Sequence, residues 1–197
     1  MNDLFPESLQ QEALGADLIP YLRPVFFAIY PAESDLPRIA DWQRRLCRQR
    51  HPAIAPRPLK LLHVSVADCG KPKRKLRSLR AAIEDAGRHF SFPAFDLEFD
   101  ATARFGADQQ AYVAVVDAAG QEVVHGLRMA LADAQRRVGF FVSRGAHQAH
   151  LTLGYGDELP ESPTPIRPFG FRAASVDLVM TDTGRSRHLQ LASWPLA

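Results

Sequence analysis

Two halves of this chain repeat one order of elements, an apolar strand, an amphipathic helix and then a strand that opens on histidine, and this duplication restricts the fold more than any other feature. In the first half, Arg23 to Tyr30 is a short apolar and aromatic run closed by Pro31, which suits a buried strand. Ser34 is placed to cap a helix in which Leu36, Ile39, Ala40, Leu46 and Cys47 recur at helical spacing as far as Arg50, with Arg44, Arg45 and Arg48 on its polar side. The proline-rich stretch from His51 to Pro58 ends it, and Lys60 to Val66 alternates as a strand. Gly70 and Pro72 lead into a second helix with Leu76, Leu79 and Ile83 inward, stopping at Gly87, before an alternating strand from Phe95 to Ala101. The second half follows suit. Ala111 to Val116 reads as a strand, Val123, Val124, Leu127, Leu131, Ala134 and Val138 share a helix face ahead of Gly139, and Ala149 to Leu153 is the histidine-bearing strand. Phe171 to Met180 and Arg187 to Ser193 complete the set as strands, separated by a turn at Asp182 to Gly184.

This order predicts an α+β protein with two lobes. Residues 1–20, poor in aromatics, form an N-terminal extension, and residues 21–197 make one domain, the size expected of a single core. Hydrophobic residues at 46% and charged residues at 23% exclude a disordered chain or a coiled coil. A formal charge of +2 is too small to mark a nucleic-acid binder by net charge, so any electrostatic argument must be local. No apolar stretch approaches the ~18–20 residues that span a bilayer, and no membrane partner is expected. Cys47 and Cys69 are too few for a disulfide framework, and the first residues lack the pattern of a signal peptide, so a cytoplasmic location is expected. Neither cysteine lies in a metal-binding pattern.

The chemistry is concentrated in His63-Val-Ser65-Val66 and His150-Leu-Thr152-Leu153. Strand side chains alternate, so His63 and Ser65 share one face while Val64 and Val66 take the other, and the second motif behaves identically. Two positions span ~6.6 Å along a strand, which puts an imidazole and a hydroxyl around a volume the size of a phosphate. His89-Phe-Ser91-Phe92 has the same spacing but runs from Gly87 into Pro93, so its context is a loop. His51, His125 and His188 read as structural, since a lone histidine usually is. His147, three residues before His150, invites a metal reading, yet positions three apart on a strand face opposite sides, and no metal is expected.

The paired motifs, the helix after each half's first strand and the closing Leu189 to Pro195 segment resemble the 2H phosphoesterases, also called LigT-like or 2'-5' RNA ligase-like proteins, over roughly Pro24 to Leu196. The resemblance implies a two-lobed α+β fold with pseudo-twofold symmetry, mainly antiparallel sheets with flanking helices, and a central cleft holding both histidines. It also implies metal- and cofactor-free hydrolysis of a 2',3'-cyclic phosphate, with His63 as proton donor and His150 as acceptor, and in some relatives the joining of 2'-5' RNA ends in reverse. Two departures stand. Serine replaces the threonine common in the first motif, and Gly154-Tyr155-Gly156 follows the second motif where the RNA-directed branch often has arginine.

Histidine chemistry supports the same mechanism. In-line opening of a cyclic phosphodiester needs a base for water and an acid for the departing ribose oxygen, and two imidazoles with ordinary pKa near ~6.5 supply both. Ser65 and Thr152 would donate hydrogen bonds to the nonbridging oxygens. Lys71 to Arg80 holds six basic residues in ten, among them Lys73 and Arg74, which with Tyr155 are candidate substrate contacts. The expected partner is an RNA end or a small cyclic nucleotide, bound by a monomer. The rival reading is a catalytically silent RNA- or nucleotide-binding module using the same cleft.

Overall fold

The computed structural model describes residues 25–50, 54–68, 89–106, 110–137, 148–157, 159–182 and 187–197. The expected N-terminal extension, the helix after Gly70 with Lys73 and Arg74, and His147 lie outside them. Among the described residues, nine strands form one antiparallel sheet: β1 (Val25–Ile29), β2 (Ala55–Pro56), β3 (Val64–Asp68), β4 (Phe95–Phe105), β5 (Ala111–Val116), β6 (His150–Tyr155), β7 (Thr164–Ala173), β8 (Ser175–Asp182) and β9 (Arg187–Pro195). Two helices among the described residues, α1 (Leu36–Arg48) and α2 (Ala118–Arg137), and a 3-10 turn at Leu59–Leu61 accompany them. Among the described residues, no helix is long and apolar enough to cross a membrane.

The strands lie in the order β7-β4-β5-β6-β3-β1-β8-β9, with β2 against β6. Between β6 and β3 the described backbone pairs at one position, Val64 opposite Leu151. Outward from that seam run β3, β1, β8, β9 on one side and β6, β5, β4, β7 on the other, so the unit β1-α1-β3 is matched by β5-α2-β6. The lobes are therefore not the two sequence halves. β4, expected in the first half, pairs antiparallel with β5, Gly106 just past its end takes φ 95°, and the C-terminal β8–β9 hairpin closes the first lobe against β1.

Most of the core lies on one face of the sheet. Val64, Val66, Leu151, Leu153, Phe27 and Ile29 meet buried residues of α1 and α2 such as Ile39, Leu46, Leu127 and Leu131. Each Leu, Ile or Phe so buried contributes ~1.5–3 kcal/mol relative to exposure. The helices cross the seam: Trp42 of α1 stacks on Phe169 of β7, and buried Gln43 donates to the carbonyls of Leu153 and Arg57. A smaller cluster of Ala103, Val113 and Val115, with Phe105 and Ala111, lies apart from this core.

Several expected boundaries move. The residue capping α1 is Asp35 rather than Ser34, with its carboxylate bonded to Arg38 at 2.6 Å, and the helix ends at Arg48 rather than Arg50. The strand expected from Lys60 starts at Val64, because Pro58 opens a 3-10 turn in which Leu61 and Leu62 donate to the carbonyls of Pro58 and Leu59. Phe171 to Met180 is not one strand but parts of two, β7 and β8, parted at Ala174. β7 also extends back through Pro165 and Pro168, which a central strand would reject but this edge strand accepts.

Candidate active site

The seam brings the two motifs together. With Val64 opposite Leu151 in an antiparallel pair, the register sets His63 beside Thr152 and Ser65 beside His150. All four side chains share the face opposite the main core, since Val64, Val66, Leu151 and Leu153 are buried on the other. The two histidines are diagonal neighbours across the pair, a relation that separates residues by ~7–8 Å.

Each imidazole is fixed in the same way. Nδ1 of His63 lies 2.8 Å from the Leu61 carbonyl, and Nδ1 of His150 lies 2.8 Å from the Gln148 carbonyl. A carbonyl only accepts, so Nδ1 carries the hydrogen in both rings and proton exchange falls to Nε2. In neutral His63 that nitrogen accepts from the Ser65 hydroxyl at 3.1 Å. The 3-10 turn aims the Leu61 carbonyl. On the other side, Gln121 of α2 bonds Ala149, the residue before His150, twice: Nε2 donates to its carbonyl at 2.9 Å and Oε1 accepts from its N–H at 2.8 Å.

Aromatic rings pack against both histidines. Phe26 of β1 and Tyr30 just past it lie 5.2 and 5.6 Å from the His63 ring, and Phe105 of β4 lies 4.6 Å from the His150 ring. Burial pushes the His63 imidazole down to about 3, and the nearby His188, Arg57 and His150 push the same way against the Leu61 carbonyl. The free protein therefore holds His63 neutral at pH 7.

Sequence reasoning missed His188, which the structure places 4.8 Å, ring to ring, from His63. Its Nδ1 is 2.6 Å from the Tyr30 hydroxyl. Burial, then Arg57, lowers it to about 4, while burial and Asp177 raise Tyr30 well above its ordinary range. The pairing joins residues 158 positions apart, so no local pattern could announce it. Arg57 was also missed, having been read as part of a helix-ending proline stretch; it reaches Tyr155, donating from Nη1 to the hydroxyl at 2.9 Å. His89 is exposed at a turn and His125 is exposed on α2.

The family model of the 2'-5' RNA ligase superfamily matches residues 31–182. No curated protein matches the sequence. Among solved structures, the fold is similar to Escherichia coli LigT complexed with 3'-AMP, at TM-score 0.66 and 20% identity over 89% of this chain and 99% of that one. It is similar to the same protein complexed with NADP+ (TM-score 0.64, 21% identity, 90% and 99% covered) and to a phosphoesterase (TM-score 0.64, 22% identity, 89% and 99% covered). Identities this low establish likeness of fold.

Proposed function

Since the chain belongs to the 2'-5' RNA ligase superfamily of 2H phosphoesterases, we propose that it opens a 2',3'-cyclic phosphate on RNA or a small nucleotide by two-histidine acid–base catalysis. The Val64–Leu151 pair carries this reading, because it alone puts both imidazoles and both hydroxyls on one face. Complexes of Escherichia coli LigT with 3'-AMP, NADP+ and ATP support a nucleotide as the ligand class.

Water attacks phosphorus in line as His150 Nε2 takes its proton. The bond from phosphorus to one ribose oxygen breaks, and His63 Nε2 protonates that oxygen, leaving a 2'-phosphomonoester and a free 3'-hydroxyl. Ser65 and Thr152 donate to the nonbridging oxygens, where transition-state charge gathers. Because His63 is neutral in the free protein, its role as donor requires that it gain a proton when the anionic phosphodiester arrives and offsets the burial and like-charge effects. Joining of 2'-5' RNA ends, with an RNA 5'-hydroxyl attacking the cyclic phosphate in place of water and the 3'-oxygen leaving protonated, uses the same two groups in the same roles.

The test is hydrolysis of a 2',3'-cyclic nucleotide with chelator present, with the product's regiochemistry determined. Turnover that His63→Ala and His150→Ala each reduce by ~10²–10⁴-fold is expected. Binding without product would reduce the site to a nucleotide-binding module, and activity that chelation abolishes and zinc restores would refute the metal-free mechanism.

A further inference from the structure

Beside the histidine face lies a cavity of about 400 Å³ between the segment after β2, the end of β6 and the β8–β9 hairpin, within the range of small-ligand sites. Leu61 and His188 belong to its wall. The first supplies the carbonyl that orients His63, and the second packs against the His63 ring, so the cavity opens directly beside the reacting groups. Its polar lining is Arg57, Arg187, Thr181, Tyr155 and His188, and no carboxylate is among the described residues that wall it.

Arg57 is built into this wall. Its backbone N–H donates to the Leu153 carbonyl at 2.8 Å, and its own carbonyl accepts from Gln43. The side chain reaches across to the Tyr155 hydroxyl, while its Nε is buried with no hydrogen-bond partner. Among the described residues, no carboxylate pairs with this guanidinium. A buried donor left unmade costs ~1–3 kcal/mol, and natural sites rarely tolerate it without a reason. A guanidinium offers a planar fork suited to phosphate oxygens, and here its charge bears on the His63 and His188 imidazoles. Tyr155, 58% exposed, presents an aromatic face beside it.

The cyclic phosphate carries a single negative charge and is already bracketed by two imidazoles and two hydroxyls. A separate cationic cavity next to it suits a second anionic group on the same ligand. We propose that this cavity is a subsite for a phosphate ester beyond the reacting one, with Arg57 as its anchor and the Tyr155 ring flanking the nucleoside between the two phosphates. The preferred substrate is then a nucleotide whose 5'-oxygen also bears phosphate, either a terminal monophosphate or the internal phosphodiester of an oligonucleotide. The inference rests on the cyclic-nucleotide reading of the histidine face.

Calorimetric titration tests it with three ligands: adenosine 2',3'-cyclic phosphate, the same compound with a 5'-phosphate, and a dinucleotide ending in a 2',3'-cyclic phosphate with a free 5'-hydroxyl. The protein is expected to bind the second or third at least tenfold more tightly than the first, and which of the two gains more separates a terminal phosphate from an internal one. Arg57→Gln is expected to erase that preference and Arg57→Lys to restore part of it. Equal affinity for all three, or an Arg57→Gln variant that weakens all three alike, overturns the subsite. The comparison of ligands on the unaltered protein decides the matter even if the variants fold poorly. Turnover is read separately: a 5'-phosphate preference without product keeps the subsite and rejects the hydrolase.

Discussion

At the scale of single residues, protonation state is the property that matters. His63 is held neutral by burial at pH 7, so the proposed role of proton donor predicts uptake of close to one proton per nucleotide bound, read from binding heats in buffers of different ionisation enthalpy. Uptake near zero would overturn His63 as the donor. Ser65→Ala removes the hydroxyl bonded to His63 Nε2 and one expected phosphate contact; kcat is expected to fall ~10-fold to 100-fold while Tm moves little, the half-buried position being tolerant. The four motif residues were legible because strand alternation converts spacing directly into shared faces. His188 and Arg57 were not, since each enters the site through contacts distant in sequence: Tyr30 for one, Tyr155 and Leu153 for the other.

Among elements, the helices do more than cover the sheet. Gln121 ties α2 to Ala149 and also donates to the Val116 carbonyl at 3.0 Å, holding the entry to β6 one residue before His150. Replacing it with alanine strands the Ala149 N–H, while the Ala149 carbonyl keeps the Val116 N–H at 3.2 Å; a loss of ~1–3 kcal/mol is expected for the unmade bond, measured by urea unfolding, together with reduced kcat because the imidazole loses its fixed base. Gly170 in β7 tests the edge of the sheet. A Cβ there would sit 1.9 Å from the Leu97 carbonyl oxygen of the neighbouring strand, so Gly170→Ala should cost at least the upper end of the ~1–3 kcal/mol typical of overpacking. β7 itself was only half legible in sequence. Its prolines signal a loop wherever a strand must donate on both sides, and only the sheet order reveals that, among the described residues, this strand lies at the edge.

For the whole molecule, the depressed histidines make stability depend on pH. Folded, His63 and His188 stay neutral until about 3 and about 4, whereas in the unfolded chain they take up protons below ~6.5. The unfolded state therefore binds more protons between those limits, and stability falls as pH falls from ~6.5 toward 4. Asp177, raised by burial, acts in the opposite sense at the acid end. Thermal melts from pH 8 to 5 are expected to show Tm level above ~6.5 and declining below it, and a flat profile would contradict the burial of these rings. The duplicated order of elements gave away the α+β class and the symmetry. Lobe membership was hidden, because nothing local says that β8 seeks β1 or that β4 deserts the first half for β5.

The seam has a mechanical consequence. With one described backbone pair between β3 and β6, the two imidazoles ride on separate arms of a calliper whose pivot is a pair of buried aliphatic side chains. Its jaw width is then tuned from behind the sheet, by residues that never meet a nucleotide. Trimming the pivot with Val64→Ala would let the jaws settle at a different gap, and the variant should lose rate well beyond what its modest loss of stability explains.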